Sequence, residues 1–133
     1  MQTGFEGLKV LVIEDEKEAR TMMRDMLSTM GVTQIFEASD GKEGLQFLDM
    51  AFDLVDIVLC DWNMPNMTGV SLLKQFRSVD NQTPFLMITG RGDMNSVLEA
   101  KTAGVSGYIL KPFSLNQLEA KLRIISYTSK EAG

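Results

Sequence analysis

The chain has 133 residues, a length that corresponds to one compact domain. Hydrophobic residues make up 44% and charged residues 23%, a balance that excludes intrinsic disorder. The formal net charge of −5 predicts repulsion from phosphate backbones and anionic lipids, so we expect neither nucleic-acid binding nor membrane insertion. Histidine is absent, which excludes histidine general bases, catalytic triads and histidine metal ligands.

The N-terminal residues and the single cysteine predict a cytoplasmic protein. Residues 1–7 lack the positive region and apolar stretch of a signal peptide, and no apolar run approaches the roughly 18 residues of a membrane span. Cys60 lies inside an apolar run and has no second cysteine for a disulfide, which fits a reducing compartment.

Short apolar runs alternate with segments of helical periodicity along the chain. In chain order, strands are predicted over residues 8–13, 34–38, 55–61, 85–89 and 108–110. Because each is followed by a helical segment, the pattern predicts a parallel α/β sheet with helices on both faces. We expect the domain to span residues 8–127, with an N-terminal extension over 1–7 and a tail over 128–133.

Five helices are predicted from apolar residues three and four positions apart. The expected buried faces are Ala19, Met22, Met23, Met26, Leu27 and Met30; Leu45, Leu48 and Phe52; Leu72, Leu73, Phe76 and Val79; and Leu115, Leu118, Leu122 and Ile125. The fourth helix, over residues 94–103, has a weaker pattern and ends at Gly104. Asp40 and Ser114 are suitable N-caps for the second and fifth helices.

Polar side chains stand at the carboxyl ends of four predicted strands, where ligands bind in folds of this class. Glu14 and Asp15 follow the first strand, Asp61 and Thr89 end the third and fourth, and Lys111 follows the fifth. Carboxylates within about 4 Å repel by roughly 4 kcal/mol per pair at an effective dielectric constant of 20, so the cluster needs cations. Lys111 supplies one charge, and Mg2+ suits the remaining oxygen ligands. The residues therefore predict phosphoryl transfer to Asp61, since a carboxylate nucleophile needs no general base.

Four motifs give the chain a family resemblance. They are V-I-E-D-E at 12–16, C-D-W-N-M-P-N-M-T-G at 60–69, L-M-I-T-G at 86–90 and S-G-Y-I-L-K-P-F at 106–113. In this order they resemble the receiver domain of two-component response regulators, most closely the single-domain chemotaxis regulators. The resemblance runs from about residue 8 to about residue 125. It implies a flavodoxin-like (CheY-like) doubly wound sheet of five parallel strands in the order 2-1-3-4-5.

The resemblance also implies the roles of the site residues. Asp61 would accept a phosphoryl group from a sensor histidine kinase or a histidine phosphotransfer protein, and Thr89 and Lys111 would bind that group. The domain would be a signalling phosphoacceptor that phosphorylates and dephosphorylates itself, rather than an enzyme acting on other substrates. The implied Mg2+ ligands are Glu14, Asp15, Asp61 and the backbone carbonyl of Asn63.

Further residues follow from the same resemblance. The peptide bond between Lys111 and Pro112 would be cis, and Tyr108 would change rotamer as Thr89 moves toward the phosphoryl group. The output face would be formed by helix four, strand five and helix five of a monomer. Arg91 lies at a position that varies within the family, so it either holds or shields the phosphoryl group or points into solvent, and its replacement by Ala is expected to change dephosphorylation only modestly. Trp62 is expected to be partly exposed beside the metal.

Two alternatives remain open at this point. A receiver fold can act as a protein-interaction module whose site never turns over, and the chain can be a receiver domain cut from a longer regulator. A phosphatase with an aspartate nucleophile is disfavoured, because the second aspartate of its D-x-D motif is replaced by Asn63.

Overall fold

The computed structural model describes the backbone of residues 3–132 and the side chains of residues 3–126. Five parallel strands form one sheet in the order β2-β1-β3-β4-β5, which confirms the predicted doubly wound, flavodoxin-like fold. The elements in chain order are β1 (Lys9–Ile13), α1 (Lys17–Thr29), β2 (Gln34–Ala38), α2 (Gly41–Ala51), β3 (Ile57–Asp61), α3 (Gly69–Arg77), β4 (Phe85–Thr89), α4 (Met94–Ala103), β5 (Gly107–Leu110) and α5 (Leu115–Ala132).

The strand register determines which residues meet at the carboxyl edge of the sheet. Ile13, the last residue of β1, lies opposite Cys60 of β3. The residues that follow these two in the sequence, Glu14 and Asp61, are therefore neighbours. On the other side, Thr89 of β4 lies opposite Leu110 of β5, which places Lys111 just beyond Thr89. The sheet thus brings together residues that are far apart in the sequence.

Two apolar clusters cover the two faces of the sheet. One packs α1 and α5 against Val10, Val12 and other strand residues, and it includes Phe5 from the expected N-terminal extension. The other packs α2, α3 and α4 against Leu11, Ile13 and their neighbours. Consecutive residues of β1 therefore point to opposite faces, and both faces are buried, as a parallel sheet requires.

Three predicted strand boundaries were wrong by one or two residues. β1 begins at Lys9 instead of residue 8, β5 at Gly107 instead of residue 108, and β3 at Ile57 instead of residue 55. The difference at β3 has a local cause, because a 3-10 turn (Phe52–Leu54) precedes the strand and the Val55 N–H donates to the Phe52 carbonyl at 3.1 Å.

Three apolar residues that we expected to be buried are exposed. Met22 lies at the edge of the apolar face of α1, and the buried residues of that helix are Met23 and Leu27. Phe52 lies in the 3-10 turn after α2, and Val79 follows the end of α3, so neither continues the helical spacing of the preceding face. The spacing of apolar residues identified the helices, but it predicted buried faces for α2 and α3 that continue past the ends of these helices.

The helix ends follow local chemistry. The Asp40 carboxylate accepts from the Glu43 N–H at 2.7 Å, and the Ser114 hydroxyl accepts from the Gln117 N–H at 3.1 Å. Gly104 ends α4 with a φ of 103°, a left-handed conformation that favours glycine. Residues 128–132, expected as a tail, continue α5. Within residues 3–132, the helices lack the combination of length and apolar character that crossing a bilayer requires.

Candidate functional site

Three carboxylates meet at the carboxyl edge of β1 and β3. Glu14, Asp15 and Asp61 each offer an oxygen, and these oxygens lie within 4.8 Å of one another. Glu14 and Asp61 are buried, whereas Asp15 is partly exposed. The cluster therefore concentrates negative charge at the rim of the core, where water screens it poorly.

Lys111 is the cation that faces this cluster. Its Nζ lies 3.1 Å from Oε1 of Glu14 and 3.0 Å from Oδ1 of Asp61. It reaches them from the far side of the site, because β5 carries it past the end of β4. Lys111 pairs with two of the three carboxylates, so a single ammonium group only partly neutralises the negative charge of the cluster.

The imbalance shifts the pKa of Glu14 and of Lys111. Burial, followed by the charge of Asp61, raises the pKa of Glu14 to about 7, although the Glu16 N–H and Lys111 oppose the shift. Burial alone would lower the pKa of Lys111, but its contacts with Asp61 and Glu14 outweigh that effect and raise it. Lys111 therefore stays charged at neutral pH, while Glu14 is poised between its two protonation states.

The donor set of the cluster fits a hard divalent cation. Carboxylate oxygens are the ligands that Mg2+ and Ca2+ prefer, and the surplus negative charge is what such an ion would neutralise. Asn63, whose backbone carbonyl the family resemblance implies as a metal ligand, lies exposed in the loop after β3. Its side-chain oxygen accepts from Nη2 of Arg91 at 3.2 Å.

A second group of residues lies at the ends of β4 and β5. The buried Thr89 hydroxyl accepts from the Arg91 N–H at 3.0 Å, and the Tyr108 hydroxyl donates to the Arg91 carbonyl at 2.5 Å. Partial burial raises the pKa of Tyr108, so its hydroxyl remains a donor at neutral pH. Both hydroxyls are thus tied to the backbone of one residue in the loop before α4.

The side chain of Arg91 crosses to the loop after β3. Its guanidinium carbon lies 5.1 Å from the centroid of the Trp62 ring, and it also bonds to Asn63. The expectation that Trp62 is partly exposed was wrong, because the side chain is only 4% exposed. Its ring packs into the cluster beneath α2 and α3, and Arg91 stacks on it.

The loop between β3 and α3 folds tightly against Asp61. The Gly69 N–H donates to the Trp62 carbonyl at 2.8 Å, and a Cβ at Gly69 would lie 2.4 Å from the Asp61 carbonyl oxygen. Only glycine fits such a close backbone approach. The Thr68 hydroxyl then caps α3 by accepting from the Ser71 N–H at 3.2 Å. This loop therefore packs directly against the backbone of Asp61.

The sequence did not assign a role to Arg20, which the structure places behind the acidic cluster. Its Nη1 donates to the Glu14 carbonyl at 2.8 Å, and its Nε lies 3.3 Å from Glu37 on β2. The one available signal was a long cationic side chain one turn into the helix that follows Glu14 and Asp15.

The peptide bond between Lys111 and Pro112 is cis, as the family resemblance implies.

Comparison with known families identifies the domain. A family profile described as the response regulator receiver domain matches residues 10–123. The chain is a response regulator receiver domain. Its relatives include the chemotaxis protein CheY1 of Helicobacter pylori, 36% identical over 92% of this chain and 99% of that protein. CheY-3 of Vibrio cholerae is 37% identical over 87% of this chain and 89% of its own length.

Solved structures show the same receiver fold. CheY4 of Vibrio cholerae superposes with a TM-score of 0.81 at 32% identity, covering 89% of this chain and 98% of that one. A receiver domain protein of Clostridium thermocellum gives a TM-score of 0.87 at 25% identity, covering 95% and 99%. This receiver domain therefore covers most of the length of these relatives, and it resembles the stand-alone chemotaxis regulators.

Proposed function

We propose that this receiver domain accepts a phosphoryl group on Asp61, with Mg2+, from a phosphohistidine of a sensor histidine kinase or histidine phosphotransfer protein. The observation that carries the proposal is the position of Asp61, which is buried, beside two further carboxylates and 3.0 Å from the ammonium of Lys111. This arrangement presents an ionised nucleophile next to a group that can bind the oxygens of the incoming phosphoryl group.

In the transfer step, a carboxylate oxygen of Asp61 forms a bond to phosphorus. The bond from phosphorus to the donor nitrogen breaks, and its electron pair remains on the imidazole, which takes up a proton from solvent. Lys111 and the Thr89 hydroxyl donate hydrogen bonds to the phosphoryl oxygens, where negative charge collects. Asp61 has no proton to lose, so the absence of histidine from the chain is no obstacle.

We assign the Mg2+ ligands to Glu14, Asp15, Asp61 and the backbone carbonyl of Asn63. When bound, the ion neutralises carboxylate charge and polarises a phosphoryl oxygen. Glu14 also bonds to Lys111, so part of its role is to hold the ammonium group in place. Glu14, Asp15 and Asp61 would each offer a carboxylate oxygen to the ion, since these oxygens lie within 4.8 Å of one another.

Phosphorylation would change the bonds at Thr89. Its hydroxyl now accepts from the Arg91 N–H, and in the phosphorylated state it would donate to the phosphoryl group. Tyr108 holds the same loop through the Arg91 carbonyl, so movement of Thr89 would reach Tyr108 and α4. A change from 1:99 to 99:1 between two states requires about 5.5 kcal/mol, which a few charge-assisted hydrogen bonds can supply.

The output face would be formed by α4, β5 and α5. Exposed apolar side chains lie on α4 and on β5, namely Met94, Leu98 and Leu110. The CheY relatives are chemotaxis proteins, which supports a role as a stand-alone regulator of that kind. The proposal places this regulator in the cytoplasm as a monomer. Slow hydrolysis would end the signal: water attacks phosphorus, the bond from phosphorus to Asp61 breaks, and inorganic phosphate leaves.

The test follows Trp62 fluorescence during titration with Mg2+ and then with acetyl phosphate, beside the Asp61→Asn variant. Arg91 stacks on the Trp62 ring, so a rearrangement at the site should change its emission. We expect a saturable response to Mg2+, then a donor-dependent change and a phosphoprotein mass, both absent from Asp61→Asn. If Trp62 emission changed neither with Mg2+ nor with acetyl phosphate and no phosphoprotein formed, the results would instead favour a protein-interaction module whose site does not turn over.

A further inference from the structure

The corner between α2 and β3 exposes apolar side chains that the proposed phosphorylation chemistry does not use. Met50 is 87% exposed, Phe52 is 47% exposed and Leu54 is 48% exposed. They occupy alternate positions within five consecutive residues, at the end of α2 and in the 3-10 turn. We call residues 49–56 the α2–β3 corner.

The same corner carries uncompensated negative charge. Asp49, Asp53 and Asp56 are exposed, and the sequence has no lysine or arginine between residues 43 and 73. Among the side chains of residues 3–126, none of these three carboxylates lies in an ion pair. Oδ2 of Asp56 accepts a hydrogen bond from the backbone N–H of Lys9 at 2.8 Å. Because this donor is uncharged, it does not neutralise the Asp56 carboxylate.

The corner lies at the opposite end of β3 from Asp61. The strand runs over four residue steps from Ile57 to Asp61, which at a rise of about 3.3 Å per residue corresponds to about 13 Å. A molecule bound at the corner would therefore leave the acidic cluster accessible. It would also lie on a different part of the surface from the α4–β5 side chains of the proposed output face.

We propose that the α2–β3 corner is a docking surface for a basic amphipathic segment of a partner protein. Apolar side chains of that segment would cover Phe52 and its neighbours, and lysine or arginine residues at its margins would face the three aspartates. The charge of the corner repels nucleic acid and anionic lipid, and it would repel the same corner of a second copy. Binding there would not depend on phosphorylation of Asp61, so the inference goes beyond the proposed function.

The probe is a fluorescein-labelled, helix-forming peptide of leucine and lysine, measured by fluorescence anisotropy and by amide chemical shifts in excess Mg2+. A matched peptide with glutamate in place of lysine is the charge control. Phe52→Ser should weaken binding about 10-fold and Asp53→Lys about 5-fold, because each removes part of the surface. Met94→Ser, a change at an exposed apolar residue of α4, should alter the affinity less than about twofold.

Saturable binding of the lysine peptide, with shift changes centred on residues 49–56 and equal affinity for Asp61→Asn, would support the proposal. It would be overturned by three results: no saturable binding, equal binding of the glutamate peptide, or shift changes centred on α4 and β5. Concentration-dependent shifts at the corner without peptide would also overturn it, in favour of self-association. All these outcomes are independent of acetyl phosphate, so they are separable from the phosphorylation test.

Discussion

The two halves of the site differ in how charge is handled. On the β1 and β3 side, three carboxylates are crowded against one another, and two of them pair with the single ammonium group of Lys111. On the β4 and β5 side, Thr89 and Tyr108 are neutral, and each is hydrogen-bonded to the backbone of Arg91. Under the proposed function, the acidic half would bind the cation and the incoming phosphoryl group, and the hydroxyl half would change its hydrogen bonds in response.

Lys111 joins the two halves, because it follows β5 but forms its ion pairs with the acidic side. Its replacement should therefore have the largest effect. We expect Lys111→Ala to retain Mg2+ binding and to lose the conformational response to phosphorylation. Without metal, its free energy of unfolding should fall by about 2–3 kcal/mol, less than for a fully buried pair because Lys111 is partly exposed.

Urea unfolding with a chelator and then with Mg2+ measures the stability, and Trp62 emission after acetyl phosphate measures the response. Lys121→Ala, an exposed change on α5, is the matched control. A Lys111→Ala protein that responds normally after phosphorylation would show that the two halves communicate without this residue.

The pH dependence of stability tests the acidic half alone. The pKa of Glu14 rises from 4.5 to about 7 on folding, so the folded state favours its protonated form. That contribution is complete below pH 4.5 and is lost as the pH rises through 7. We expect the metal-free protein to lose about 2–3 kcal/mol of unfolding free energy between pH 5 and pH 8.

Lys111 does not oppose this trend, because its raised pKa keeps it charged throughout the interval. Excess Mg2+ should reduce the loss, since the ion offsets the same carboxylate charge. Denaturation by urea at several pH values, with and without Mg2+, provides the measurement. If the unfolding free energy of the metal-free protein rose between pH 5 and pH 8, burial and the charge of Asp61 would not raise the pKa of Glu14.

The hydroxyl half is tested by Tyr108→Phe, which removes the bond to the Arg91 carbonyl. One hydrogen bond contributes about 0.5–1.5 kcal/mol, and the loop is exposed, so the effect should be at the lower end. We expect amide exchange of residues 91–94 to accelerate about threefold, with α2 amides as an internal reference. Equal exchange in both proteins would indicate that Tyr108 does not restrain this loop.

The smallest effect is expected for Arg91→Ala. Its guanidinium stacks on the Trp62 ring and donates a hydrogen bond to Asn63, and it lies outside the acidic cluster. The lifetime of the phosphorylated protein should therefore change by less than about threefold. Arg91→Gln separates the hydrogen bond to Asn63 from the positive charge. Loss of phosphate followed by mass spectrometry gives the lifetime, and an unchanged value would remove Arg91 from the mechanism.

The success of the sequence prediction differed between backbone and side chains. The carboxyl ends of β1, β3, β4 and β5 were predicted correctly, because each is marked by an apolar run that stops at a polar residue. The burial of Trp62 was not, because a tryptophan next to Asp61 carries no local signal of which layer receives its ring. Arg20 was missed for a similar reason, since its partner is a backbone carbonyl that no sequence pattern marks.

The sequence by itself determined the order of strands and helices, their caps and the polar residues at the strand ends, because these depend on neighbours within a few positions. Only the tertiary structure decided how these residues meet. The register of β1 with β3 places Glu14 beside Asp61, and the path of β5 brings Lys111 to both. The raised pKa of Glu14 depends on that packing, because burial and a neighbouring charge exist only once distant segments are in contact.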